Sequence, residues 1–114
     1  MENNIADKSF LFAIRIVNLY KHLREEKKEY TMSKQMLRSG TSIGANVAEA
    51  QNAQSRPDFL SKISIALKET SETKYWLRLL HATDYLSVRE FDSIVLDCVE
   101  LEKILVSIVK STKK

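Results

Sequence analysis

Phe59, Ile63, Ala66, Thr70, Thr73, Leu77 and Leu80 follow one another at alternating intervals of four and three residues. That spacing keeps seven side chains on one stripe of an α-helix and would scatter them over both faces of a strand. Alternating fours and threes are the seam of a helix that lies along another helix. The chain is therefore committed to helix-on-helix packing. Its composition agrees, because two glycines and one proline in 114 residues leave too few turn formers for a β-protein. A chain of this length builds one modest core.

Three further helices read from the same kind of pattern. The first is expected over roughly 7–26, with Phe12, Ala13, Ile16, Val17, Leu19, Tyr20 and Leu23 on a broad apolar face. Lys8, Arg15 and His22, spaced by sevens, lie on a different face. The charged run from Arg24 to Glu29 reads as a solvated helix end and loop.

The second helix is expected over roughly 31–53. Met32, Met36, Ser39, Ile43, Val47 and Ala50 form one face, and Gly40, Gly44 and Ala48 a second at four-residue spacing. Each helical glycine costs about 1 kcal/mol against alanine. Close approach of a neighbouring helix, in the same subunit or in another, offsets that cost. Glu49 is the only charge between Ser39 and Ala53, which places this helix centrally.

The third helix, over roughly 57–83, opens with Ser55 as N-cap, Pro57 in the first turn and Asp58 three residues after the serine. Beside its seam runs a second strip of Ile65, Glu72, Trp76 and Leu79. Ser87 and Glu90 form a capping box for the fourth helix, over roughly 88–110. Phe91, Ile94, Val95, Cys98, Leu101, Leu105, Ile108 and Val109 make its apolar face, and Lys110, Lys113 and Lys114 suit its C-terminus. Short connections make consecutive helices antiparallel neighbours. The expectation is an all-α, single-domain, up-down-up-down antiparallel four-helix bundle.

Catalytic signatures do not emerge. No nucleophile, base and orienting acid stand at a readable spacing, and no cofactor is implied. His22 and His81 lie on different helices without the carboxylate or cysteine neighbours of a helical metal motif, so they read as surface histidines. Cys98 reads as a buried, inert thiol, and as the sole cysteine it excludes an intramolecular disulfide. Gly40-Thr41-Ser42-Ile43-Gly44 lacks the spacing and the lysine of a phosphate loop. Met1-Glu2-Asn3-Asn4 shows no signal-peptide pattern and no apolar run is long enough to span a bilayer, so no membrane partner is expected and the location reads as cytoplasmic.

Polar residues inside apolar strips are more informative. Glu72 and Glu102 each lie among apolar neighbours, and Ser42 and Asn46 border the buried part of the second helix. A carboxylate so placed must find a partner, shift its pKa or lie at an interface edge. Arg38 is a candidate partner. A buried hydrogen-bond network that fixes helix register explains these residues better than an acid–base site.

Net charge is +3, a mild bias compatible with a polyanion. Arg15, Lys34, Arg38, Lys74 and Arg78 are the candidate phosphate contacts. The second helix offers two buried-type faces and the third an extra strip with Trp76. This surplus suggests a subunit interface, and a broader monomer core is the alternative.

The stretch from Leu37 to Ala50, Leu-Arg-Ser-Gly-Thr-Ser-Ile-Gly-Ala-Asn-Val-Ala-Glu-Ala, resembles the second-helix signature of the 23S rRNA intervening-sequence protein family. Ile65-Ala66-Leu67-Lys68-Glu69 and Glu72-Thr73-Lys74-Tyr75-Trp76-Leu77 resemble its third helix, and the likeness extends over almost the whole chain. Ser39, Ser42, Asn46, Glu49 and Glu72 match its polar signature. The chain departs at Lys68-Glu69, where many relatives carry glycine-serine, and at Ala50, where they often carry glycine. The resemblance implies a four-helix bundle that assembles as a homopentamer around a central passage. The fold is also similar to the accessory protein of diversity-generating retroelements, a basic pentamer implicated in nucleic-acid binding. The functional expectation is a non-enzymatic homo-oligomer that binds rRNA or another nucleic acid. The alternative is a protein–protein interaction scaffold with no nucleic-acid ligand.

Overall fold

Chain reversals occur where capping residues sit. The structure, a computed structural model, describes residues 4–113; the readings made on Met1-Glu2-Asn3 and on Lys114 lie outside them. Among the described residues there are four helices, α1 (Ile5–Glu25), α2 (Met32–Ala50), α3 (Arg56–Ala82) and α4 (Val88–Lys113), and no strand.

Both expected capping boxes are present. Ser55 is extended, and its hydroxyl accepts the Asp58 amide at 3.1 Å. The Asp58 carboxylate reaches back to the Gln54 amide at 3.1 Å. At α4 the exchange is reciprocal: the Glu90 amide donates to Ser87 Oγ at 3.1 Å and the Ser87 amide to Glu90 Oε1 at 2.8 Å. The Ser87 amide holds the Glu90 carboxyl below the ordinary carboxylate value. α3 ends on a Schellman pair, Tyr85 N–H to Leu80 O at 2.9 Å and Asp84 N–H to His81 O at 3.1 Å, with Asp84 in the left-handed region at φ 72°.

Glu29 is a correction to the sequence reading. Its charged run reads as solvated, yet the residue is buried, with 7% exposure. Its carboxylate accepts the amides of Thr31 (3.1 Å), Met32 (2.9 Å) and Ser33 (2.7 Å), and the Ser33 hydroxyl donates to its carbonyl at 2.8 Å. These are the orphan donors of the α2 N-terminus. Thr31, the nominal N-cap, makes no side-chain cap. Burial pushes the Glu29 carboxyl up, but the amides of Met32, Ser33 and Thr31 outweigh it and leave the pKa lowered. At its other end α2 stops at Ala50, three residues before the expected end. Nothing in Gln51-Asn52-Ala53 breaks a helix. The chain leaves because Ser55 must be extended to cap α3.

The helices form a square: α1 packs on α2 and α4, α3 packs on α2 and α4, and no contact crosses either diagonal among the described residues. The α1–α4 seam is the thinnest. The rod measures 44 × 21 × 21 Å. Its core holds Ile16, Leu23, Met36, Ile43, Val47, Ile63, Leu77, Leu80, Leu101 and Leu105. Of the predicted α3 seam, Ile63, Ala66, Thr70, Thr73, Leu77 and Leu80 are buried, and Phe59 packs at the margin. Two buried threonines are tolerated because their hydroxyls are satisfied. Thr70 donates to Leu67 O at 2.6 Å, and Thr73 lies 2.8 Å from Glu69 O and 2.9 Å from Ser39 Oγ.

The glycine stripe serves α1. A Cβ on Gly40 would lie 2.8 and 2.9 Å from the two γ-carbons of Ile16, and one on Gly44 would lie 3.2 Å from the carbonyl oxygen of Ser9. Gly40 and Gly44 are therefore close-packing residues inside the subunit, and Gly44 also borders an open groove beside Phe10. Ala48, on the same stripe, is exposed.

Candidate functional site

Some of the candidate cations lie on helix flanks, where a long side chain reaches across a seam. Three of the five are engaged. Arg15 on α1 donates to Asp97 at 2.7 Å and to Ser93 Oγ at 3.0 Å on α4. Arg38 on α2 bridges Glu69 (3.4 Å) and Glu72 on α3. Lys74 on α3 meets Glu102 on α4 at 2.7 Å. Lys34 and Arg78 are exposed and make no ion pair among the described residues. Both lie near one end of the bundle, where α2 starts and α3 ends.

The polar residues singled out in the sequence resolve into seam contacts. Glu72 accepts from Arg38 and, at 3.0 Å, from the Trp76 indole N–H. Its pKa is lowered first by Arg38 and then by Trp76, and the Arg38 pKa is raised chiefly by Glu72. Glu69, the neighbour sharing Arg38, has its other oxygen buried without a hydrogen bond. Ser39 is buried against Thr73. Asn46 donates to Ser42 O at 2.9 Å within α2. Glu49 is exposed and pairs with Lys62 at 3.2 Å. Trp76 is half-buried and meets Tyr75 edge-on at 5.0 Å.

These pairs tie α2 to α3, α3 to α4 and α1 to α4. The sevens of Lys8, Arg15 and His22 now have a meaning: they are the α1 side of the α1–α4 seam. Lys8 meets Glu100 at 2.7 Å, and His22 lies close enough to Glu90 for its field to act there. His81 Nδ1–H donates to Leu86 O at 2.9 Å, and the ring stacks on Phe91 with centroids 4.8 Å apart. Cys98 is fully buried, its sulfur 3.5 Å from Thr70 O, and burial pushes its pKa up to about 12. At neutral pH it is a thiol, inert as a nucleophile. Among the described residues no group of three His, Cys, Asp or Glu side chains is placed to hold a metal, and no helix is long and apolar enough to cross a membrane.

Apolar surface is exposed on α1, α3 and α4. The α3 strip of Ile65, Trp76 and Leu79 is half-buried, with Tyr75 exposed beside it. α1 exposes Phe10, Leu11 and Ile14, and α4 exposes Leu96. The expected face of α1 is the one that meets the core, with Phe12, Ile16 and Leu23 buried and Leu19 and Tyr20 packed at its margin; Phe10, Leu11 and Ile14 lie outside that face. Ala6, Ala13, Thr41, Gly44, Ala45 and Ala48 line a groove of about 340 Å³ beside Phe10.

The profile of the 23S rRNA-intervening sequence protein family matches residues 1–107. The chain belongs to the 23S rRNA-intervening sequence protein family. A crystal structure of a protein of unknown function from the S23 ribosomal protein family of Bacteroides thetaiotaomicron VPI-5482 is similar to it, with 58% identity over 94% of this chain and 99% of that one and a TM-score of 0.93. No curated protein matches the chain closely enough to count as a relative. The family places the fold firmly, and a member of unknown function lends no activity.

Proposed function

We propose that this family member is a non-enzymatic bundle that self-associates, with five copies as the resemblance implies, and binds a polyanion, in the first instance RNA. The supporting observation is the set of unpaired cations at one end of the rod. Lys34, Arg78 and Arg89 are exposed there, joined by Lys21, Lys27 and Lys28 from the end of α1. Acidic neighbours such as Glu25, Glu26, Asp84 and Asp92 leave one subunit only mildly positive at that end. Repetition around a symmetry axis is what builds a field strong enough to hold phosphates. Arg15, Arg38 and Lys74 serve the seams instead, and their phosphate role is not carried forward.

Filter binding to a structured rRNA fragment at two ionic strengths tests the reading. Binding at low salt should weaken steeply as salt rises, because phosphate contacts release counterions. Lys34→Glu with Arg78→Glu should lower affinity at least about tenfold at fixed salt while leaving thermal stability unchanged. Absence of binding at low salt overturns it. The rival, a protein-interaction scaffold without a nucleic-acid ligand, draws on the exposed ridge of α1. A captured complex that survives nuclease treatment would favour it.

A further inference from the structure

Two neighbouring helices turn apolar side chains to solvent, α1 as a ridge and α4 as a single leucine on its outer face. On α1, Phe10, Leu11 and Ile14 are 66%, 61% and 44% exposed; on α4, Leu96 is 67% exposed. Neighbours in a square bundle look outward in directions about a quarter-turn apart. A contact that joins two different faces of one subunit is heterologous and closes into a ring when the angle allows. Faces about that far apart close after about four or five copies.

A ring whose axis runs along the rod keeps every residue at its own height, so the two faces must match level by level. The α1–α4 ion pairs supply the scale. Lys8 stands level with Glu100 and Arg15 with Asp97. Read along this ladder, Leu96 stands level with Ala13 and Ile14, beside Phe10. Asp7 stands level with Lys103. Asp7 and Lys103 are both exposed and make no ion pair among the described residues. The small side chains of Gly44, Ala45 and Ala48 leave open the groove beside Phe10, which gives an incoming leucine room.

We propose that α1 of one subunit docks on α4 of the next copy, head to tail, with Leu96 of that copy seated against Phe10 and Ile14 and its Lys103 facing Asp7. The proposal rests on the self-association reading above and names its surface. In such a ring the α1–α4 seam faces the axis, so Lys8, Arg15, Asp97 and Glu100 line the passage with Leu11 beside them, while Phe10 and Leu96 are covered.

Complementation tests it. Wild-type protein should scatter light as an oligomer. Phe10→Asp and Leu96→Asp change exposed side chains and should leave the helical circular dichroism intact. Each alone should run as a 13.1 kDa monomer, a loss of at least about tenfold in self-affinity. Mixed, they should form a one-to-one dimer, because the α1 face of the Leu96→Asp chain and the α4 face of the Phe10→Asp chain are both whole. A contact of α1 with α1 gives no such rescue. A charge exchange provides the second arm: Asp7→Lys or Lys103→Asp should each weaken assembly, and the two together in one chain should restore it. A mixture that stays monomeric, an exchange without restoration, or variants that remain oligomers overturn this surface while leaving self-association standing. A monomeric wild type overturns both.

Discussion

Gly40 is where a single atom decides between gain and loss. An alanine there would recover about 1 kcal/mol of helix propensity. Its Cβ would stand 2.8 Å from a γ-carbon of Ile16, which is fully buried, β-branched and unable to swing aside. Overpacking of this kind costs about 1–3 kcal/mol. Gly40→Ala should therefore lower stability by a net of about 1 kcal/mol in chemical denaturation, and the loss should shrink in an Ile16→Ala background, where the γ-carbons are gone. At Gly44 the nearest atom is the Ser9 carbonyl oxygen at 3.2 Å. Propensity and crowding are then closer to balance, and Gly44→Ala should be nearly neutral. Lys28 presents the opposite case. It holds φ 57° after α1 with a long, branching-free side chain that gains nothing from the left-handed region. Relieving that conformation with Lys28→Gly should raise stability by about 0.5–1 kcal/mol, read as an upward shift in Tm.

Helix ends divide into those the sequence shows and those it hides. Ser87 and Glu90 sit three apart before an apolar run, a spacing that specifies its own geometry, and both bonds form. Ser87→Ala should cost about 1 kcal/mol by urea titration. Glu29 carries no such signature. It lies in a run of like polar residues, and only the direction taken by the chain after Lys28 brings its carboxylate over three amides of α2. Glu29→Ala, which strands those donors, should cost about 1–2 kcal/mol, at least as much as Ser87→Ala. The same division applies to the candidate site. The α3 seam was legible down to Thr70 and Thr73 because burial there follows helical period alone. The partners of Arg15 and Lys74 were not, because an ion pair between helices depends on which flanks abut. Arg38 with Glu72 was legible because a carboxylate among apolar neighbours must find a cation, and Arg38 was the candidate named for it. The inner face of α1 was legible, with Phe12, Ile16 and Leu23 buried as their spacing requires, whereas Phe10, Leu11 and Ile14 fall outside that face and helical period alone assigns them no partner.

At the scale of the whole molecule, acid is the condition under which these separate contacts act together. Glu29, Glu72 and Glu90 are all held below the ordinary carboxylate value of 4.5. The folded chain therefore binds fewer protons than the unfolded chain as pH falls past that value, and unfolding takes protons up. Stability from these groups is fully present above about pH 4.5 and is lost as pH drops through their lower folded values. Tm measured at fixed protein concentration should fall below that point, and above about pH 5 the three carboxylates contribute no slope. Glu29→Gln should start from a lower Tm at neutral pH and show a shallower acid limb, since one of the three depressed groups no longer titrates. None of the three lies on the α1 ridge or at Leu96 of α4, so acid unfolding belongs to the subunit and not to the assembly. The Phe10→Asp chain should accordingly keep the wild-type acid limb, because a solvent-exposed aspartate titrates alike in the folded and unfolded states. A limb that disappears in that variant would move the pH sensitivity to the contact between copies and contradict the capping of α2 by Glu29 and of α4 by Glu90 as its source.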